Sequence, residues 1–275
     1  VAAPNKKYYL FSVDLEDVRD MIAGGMQYKE AVVSNTHKYL AWLSKHKFKA
    51  TFFVVGRTAQ AFPSLIKEIA DSGHEIALHS HNHIHLTKLT PEEFKADIAA
   101  NINAIQKAGI TNVKGFRAPT FSLVEQSKWA YKILRSAGIE YSSSVIPNAN
   151  PLFGWQNFGG EQIVDGVYEI PMNVGNKPIS VPFGGGVYFR VLPVQLSLQL
   201  FKNAAKKQQS VLGYFHPYDV DTEQERFMHP HLNNNRFLNK LMYINRSKVF
   251  NRLNRVIDLG FEVVRYDDYY RLRTK

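Results

Sequence analysis

The chain of 275 residues has no cysteine. That excludes a disulfide scaffold, a thiolate metal site and a cysteine nucleophile. It does not fix a compartment, because a chain of this size buries enough apolar surface to fold without disulfides. Long apolar runs are missing too: none approaches the roughly 18–20 residues that cross a bilayer. The opening VAAPNKK lacks the apolar stretch of a signal peptide, so a cytoplasmic location is expected. A processed secreted form is the alternative, since the first residue is Val. Acidic residues are in deficit, 24 against 34 Lys and Arg, and the formal net charge is +10. From Arg226 onward eleven basic residues stand against four acidic ones, which supplies +7 of that charge. Lys248, Arg252 and Arg255, following Arg246, are spaced to share a helix face and would attract an anionic partner. No nucleic-acid-binding motif accompanies them, so nucleic acid is not the expected partner.

What is present is an alternation of strand and helix. Residues 8–13 (YYLFSV), 50–56 (ATFFVVG), 75–80 (EIALHS), 113–119 (VKGFRAP), 139–145 (IEYSSSV), 167–172, 211–217 and 261–266 read as strands. Helices are expected over 29–46, 63–74, 91–108, 126–137, 194–207 and 247–259. Thr90 with Glu93 forms a capping box, and Pro91 takes the first helical position. Residues 146–162 read as a long loop and Gly184–Gly186 as a turn. Repeated βα units without a linker predict one α/β domain over 1–275, a barrel of parallel strands.

Five of the ten histidines fall between His74 and His85. The run HSHNHIHL carries His79, His81, His83 and His85 between a predicted strand and a predicted helix, where α/β folds place their sites. Whether the run is extended or turned, at least two imidazoles share a face, and imidazole is the commonest ligand for zinc-like ions. With no cysteine, oxygen should complete the set. The first strand ends in VDLED, and its Asp14 and Glu16 share a strand face. One carboxylate there could bind a metal and another act as general base. GFRAPTF puts Arg117 at a strand end, where a guanidinium can hold a carboxylate ionised. GYFHPYD puts His216 at another, in reach of general-acid work.

VDLED, HSHNH, FRAP and YFHP, in that order, resemble the motif series of the polysaccharide deacetylase family, carbohydrate esterase family 4. Its His-[Ser/Thr]-x-x-His motif is matched by His79, Ser80 and His83. GFRAPTFS, GGGVYFRVLP and YFHPYD look most like the bacterial branch that modifies surface or exported polysaccharides. The resemblance implies a distorted (β/α) barrel, usually seven-stranded, with one divalent metal, Zn2+ or Co2+. It implies Asp14 as general base and Glu16, His79 and His83 as metal ligands, with Asp17 competing for the place of Glu16. Ser80 would brace the His loop by hydrogen bonding. Arg117 would orient Asp14, His216 would be the general acid, and the Thr120 backbone N–H would meet the oxyanion. Trp155 and Tyr218, among the loop aromatics Phe153, Phe158, Tyr188 and Phe189, would contact the sugar. His81 and His85 fall at variable motif positions, as supporting or surface residues. The implied reaction is removal of N-acetyl groups from amino sugars of an anionic or lipid-linked glycan. Two departures stand out: Thr120 where an aromatic is common, and Ser142-Ser143-Ser144 where relatives often have Asp-Ser-Ser. The acid that supports the catalytic histidine must then come from elsewhere, and Asp219 is the candidate. Two other readings remain: an amide or imide hydrolase for a small cyclic substrate, and a glycan-binding protein that has lost catalysis.

Overall fold

The apolar runs become strands and the periodic stretches become helices in a computed structural model, which describes residues 6–147, 153–175, 181–207, 210–230 and 232–275. The strands are β1 (Lys7–Leu15), β2 (Thr51–Val54), β3 (Glu75–Leu78), β4 (Gly115–Phe116), β5 (Tyr141–Ser142), β6 (Gln162–Val164), β7 (Val167–Glu169), β8 (Val211–Phe215) and β9 (Phe261–Val264). The helices are α1 (Val32–His46), α2 (Gly56–Ala61), α3 (Pro63–Asp71), α4 (Pro91–Lys107), α5 (Ala130–Ser136), α6 (Gly186–Val191), α7 (Val194–Lys206), α8 (Arg236–Leu241), α9 (Val249–Ile257) and α10 (Tyr266–Thr274). Of the loop expected over 146–162, residues 148–152 lie outside the described residues. The chain falls into two compact units. One holds Thr51–Pro182 with Arg265–Lys275, the other the residues up to Ala50 with Phe183–Val264.

In the first unit β2, β3, β4, β5 and β7 pair in parallel in that order, and β6 runs antiparallel to β7. Parallel neighbours need crossovers, and α2 to α5 provide the first three. Phe52, Phe53, Ala77 and Leu78 are wholly buried, which is why β2 and β3 read as unbroken apolar runs. The capping box at Thr90 and Glu93 opens α4 as the spacing predicts. Strands β4 and β5 are far shorter than their apolar runs suggested. Pro119 has no N–H for a ladder, and the Ser144 N–H goes to the Glu169 carboxylate instead of to a strand. The antiparallel β6 and helix α10 were not expected. Tyr266 and Tyr269 of α10 are buried, so the aromatic residues of the basic C-terminal stretch belong largely to the core.

In the second unit β1 pairs in parallel with β8, from Tyr9↔Val211 to Val13↔Phe215, and with β9, from Lys7↔Phe261 to Leu10↔Val264. The Gly184–Gly186 stretch is more than a turn. It runs so close over β8 that a Cβ on Gly185 would lie 2.1 Å from the Tyr214 carbonyl oxygen, and it then opens α6. The basic stripe is only partly a surface feature. Arg252 donates to the Phe189 and Leu192 carbonyls at 2.6 and 2.8 Å, closing the end of α6, and Arg246 is buried. Lys248 and Arg255 remain exposed. Among the described residues no helix is long and apolar enough to cross a membrane.

Candidate functional site

The histidine loop starts one residue past β3, where the His79 N–H still bonds the Val54 carbonyl at 3.0 Å. His79 is buried, and its Nδ1 lies 2.8 Å from the Arg117 carbonyl oxygen. A carbonyl only accepts, so Nδ1 carries the proton and Nε2 offers its lone pair. The His83 ring packs edge-on to it, centroids 5.1 Å apart. Ser80 and His83 both have left-handed backbones, at φ 65° and 54°. Such residues cost roughly 1–3 kcal/mol each and persist only where the surroundings over-determine them. Two anchors do so here. The Ser80 and His81 carbonyls accept from the Gly56 and Arg57 N–H groups at the start of α2, at 3.0 and 3.1 Å. The Asp97 carboxylate on α4 accepts from the His81 and Asn82 N–H groups at 2.8 and 3.1 Å. Gly56 must be glycine: a Cβ there would sit 2.1 Å from His81 Nδ1. The expected bracing by the Ser80 hydroxyl is not found. Its Oγ is buried without a hydrogen-bond partner among the described residues, and Asp97 does that work. His85 is buried, not a surface residue, with Nε2 3.2 Å from Thr120 Oγ1 and its ring 4.9 Å from that of Phe153.

Arg117 follows β4 and is wholly buried. Its guanidinium lies 4.0 Å from the Phe53 ring centroid, with Phe121 and Tyr266 at 5.0 and 5.2 Å. Aromatic faces stabilise a cation that has left water. Nη2 donates to the Tyr266 hydroxyl at 2.7 Å and Nε to the Ser143 carbonyl at 3.3 Å. Thr120 and Phe121 are left-handed at φ 55° and 54°. The N–H groups of Phe121 and Ser122 are committed to the Ala118 and Pro119 carbonyls. Beneath this turn the serine run has become scaffold. Ser144 Oγ accepts from the Ala118 N–H at 2.8 Å and is held in turn by Ser142 Oγ at 2.8 Å. The buried Glu169 carboxylate accepts from the Ser144 and Val145 N–H groups and from the Tyr131 hydroxyl. Burial raises the Glu169 carboxyl above its ordinary range, and these donors partly offset it. Trp155 is half-buried against Phe158. Phe158 and Phe189 are core residues and not sugar-facing ones, whereas Tyr188 is exposed.

In the second unit β1 delivers Asp14, Glu16 and Asp17, all buried. Asp17 is already committed. It caps a short turn at Val18–Met21, accepts from the Arg19 N–H and pairs with the Arg19 guanidinium at 2.6 Å. Glu16 instead faces His216, with Oε1 4.0 Å from Nε2. His216 follows β8, and its Nδ1 lies 2.9 Å from Asp219 Oδ2. The same oxygen accepts the His216 N–H at 2.8 Å. Asp219 is therefore the carboxylate that holds His216. Although Asp219 is buried, the Arg190 guanidinium and His216 hold its carboxyl far below the ordinary range. Burial alone would lower the His216 imidazole. The Glu16 charge, the Asp219 hydrogen bond and charge, and Asp14 outweigh that and push it up to about 9. The Tyr218 ring stacks on His216, centroids 4.6 Å apart and planes within 6°. Burial, with the Glu16 and Asp219 charges, raises its phenol well above the ordinary value. Farther in, burial and the neighbouring Arg246 push His229 down to about 3, and Arg246 Nη2 lies 3.3 Å from His229 Nε2.

Asp97, Glu169, Arg190 and His229 were not singled out from the sequence, and Arg246 was read there only as part of the basic stretch. Asp97 did leave a signal there, as a charged residue in helical phase with Phe94, Ile98 and Asn101. Arg190 lies inside GGGVYFR, but nothing in the spacing reveals that α6 is buried.

Two family profiles match this chain. Residues 25–142 match the polysaccharide deacetylase profile, and residues 143–271 match a domain of unknown function, DUF3473. Over residues 25–142 the chain is therefore similar to the polysaccharide deacetylase family. A peptidoglycan-N-acetylglucosamine deacetylase of Bacillus cereus is 35% identical over 96 residues, covering 34% of this chain and 35% of that protein. A chitooligosaccharide deacetylase of Sinorhizobium fredii is 29% identical over 133 residues, covering 48% and 59%. The chain thus spans about a third to three-fifths of these relatives' own lengths. Among solved structures, a putative polysaccharide deacetylase from Mycobacterium smegmatis aligns with TM-score 0.61 at 19% identity, over 98% of this chain and 92% of its own. A CE4 family pseudoenzyme from Bacillus anthracis aligns with TM-score 0.55 at 15% identity, over 98% and 66%. The shared feature is the α/β, (β/α)-barrel-like fold.

Proposed function

We propose that this protein is a metal-dependent N-deacetylase acting on amino sugars of a bacterial surface or exported polysaccharide. The observation that carries the reading is His79, buried with Nδ1–H fixed on the Arg117 carbonyl so that Nε2 is presented beside His83. The donor chemistry fits a divalent ion. Glu16, His79 and His83 offer one carboxylate oxygen and two imidazole nitrogens, a set that suits zinc and also cobalt. With Asp17 held by Arg19, Glu16 is the carboxylate assigned to that set. When bound, the ion polarises the acetyl carbonyl and acidifies water.

The remaining steps belong to the chain's own residues. Asp14, oriented by Arg117, takes the proton of the attacking water. The Thr120 N–H stabilises the tetrahedral oxyanion. His216, its Nδ1–H held on Asp219, delivers a proton from Nε2 to the departing amine. Tyr218 and Trp155 contact the sugar. The names of the bacterial relatives support amino-sugar N-deacetylation. The exposed Lys248 and Arg255 favour an anionic or lipid-linked glycan, and a cytoplasmic site of action remains our reading. Loss of catalysis is the competing reading, favoured by the pseudoenzyme among the structural neighbours. It is weakened by Asp219, which supports His216 despite the serine at 142.

A screen of N-acetylated amino-sugar oligomers, with metal content measured in parallel, tests the proposal. One bound divalent ion and acetate release are expected. Metal-loaded protein that binds glycans but releases no acetate would overturn it, as would activity confined to small cyclic amides.

A further inference from the structure

One buried cation close to His216 has no task in the reading just given. Arg190 lies on α6 with no solvent exposure. Its Nε donates to Asp219 Oδ1 at 2.9 Å, and Nη2 lies equally close to that oxygen but off the hydrogen-bond line. Its Nη1 donates to the Met242 and Ile244 carbonyls at 3.0 and 2.8 Å. The Asn245 side chain donates to the Arg190 carbonyl at 2.9 Å. The guanidinium is thus held in one orientation from several sides.

Asp219 is equally constrained. Oδ1 faces Arg190, and Oδ2 takes both the backbone N–H and Nδ1 of His216. A buried carboxylate without a cation takes up a proton. On Oδ2 that proton would point at the His216 Nδ1–H. The Nδ1–H would then have no acceptor on that oxygen, and the ring would be free to turn away from Asp219. Charge alone does not select arginine here. The planar fork meets a carboxylate and two carbonyls together, which a lysine ammonium cannot do in the same geometry.

We propose that Arg190 is a positioning residue that holds Asp219 in place to accept the His216 Nδ1–H, and thereby keeps the His216 ring turned with Nε2 toward the substrate. The inference rests on the reading of His216 as proton donor. Arg190 touches no reacting atom and acts only through Asp219.

The test uses zinc-loaded protein and the variants Arg190→Met, Arg190→Lys, Asp219→Asn and Arg190→Met/Asp219→Asn. Thermal melting identifies which of them fold. Nitrogen NMR of the His216 ring reads whether its Nδ1–H is hydrogen-bonded, and kinetics separate kcat from KM. Arg190→Met should lose that hydrogen bond at His216. Its kcat should fall by ~10²–10⁴, the typical contribution of a positioned acid or base, with KM changed less than about twofold. The double variant should lose no more than about threefold beyond Asp219→Asn, because both changes remove one device. Arg190→Lys should keep the hydrogen bond with a smaller loss, and it serves if Arg190→Met does not fold. Folded Arg190→Met that keeps the hydrogen bond and wild-type kcat overturns the inference. So do losses that multiply in the double variant. If wild-type protein releases no acetate, the functional reading fails, and the His216 Nδ1–H hydrogen bond in Arg190→Met still decides this inference.

Discussion

At His79 a single hydrogen bond decides what the ring can do. The Arg117 carbonyl fixes the proton on Nδ1, so the ring presents a lone pair on Nε2 as metal ligands must. His79→Ala should lose both bound metal and acetate release. Asp14→Asn should keep the metal while kcat falls ~10²–10⁴, the typical contribution of a positioned base. Metal content and kcat measured on the same preparations check both, and Asp14→Asn with full activity would refute its role. The strand-end positions of His79, Arg117 and His216 were legible in the sequence because each follows an apolar run inside a short motif, whereas His83 lies in the loop beyond β3. The choice between Glu16 and Asp17 was not legible. Both follow the same strand, and only the fold shows Arg19 closing on Asp17 with backbone and side chain together. Ser80 misled for the opposite reason: a hydroxyl in a motif suggests a hydrogen bond, whereas its contribution here is its carbonyl.

At the scale of elements, the histidine loop hangs between α2 and α4. Asp97 receives two loop N–H groups, and Gly56 leaves room for the His81 ring. Removing a buried acceptor strands its donors at roughly 1–3 kcal/mol. Asp97→Ala should therefore lower the Tm by several degrees. It should also weaken metal binding ~10-fold or more, the cost of losing support behind a ligand shell. Melting curves and metal titration read the two effects separately, and unchanged metal affinity would show that the loop holds its shape without Asp97. The long elements, α1, α4, β1 and β2, were legible because their period or apolar density is sustained. β4 and β5 were overextended because an apolar run does not reveal where Pro119 and a buried carboxylate redirect the backbone. α10 escaped notice because its hydroxyls and charges disguise a buried face.

At the scale of the whole molecule, Glu75 links proton uptake to folding. Its carboxylate accepts from the Tyr141 and Thr51 hydroxyls at 2.5 and 2.6 Å and from the Asp267 N–H, tying α10 to β2, β3 and β5. Burial nevertheless dominates these donors and the carboxyl is pushed up to about 7. The folded form therefore holds this proton more tightly than the unfolded chain does. Its contribution is fully present below about pH 4.5 and is lost as pH rises through about 7. The change is on the order of 2–3 kcal/mol, allowing for partial exposure. Urea unfolding of wild type and Glu75→Gln between pH 4 and 8 isolates it. The variant should gain relative stability as pH rises, and parallel curves for the two proteins would refute the assignment. Net charge was a poorer guide at this scale. Part of the C-terminal excess is engaged within the fold: Arg273 pairs with Glu161, Arg246 is buried, and Arg252 donates to the Phe189 and Leu192 carbonyls.

The histidine and the carboxylate that holds it are three residues apart in the single turn HPYD. Such a pair is inherited as one short stretch and does not depend on the alignment of distant strands. Insertions in the loops between would leave it intact, and the serine at 142 is free to drift into a scaffold role. The acid that meets this histidine is read from the letter three residues after it, and not from position 142.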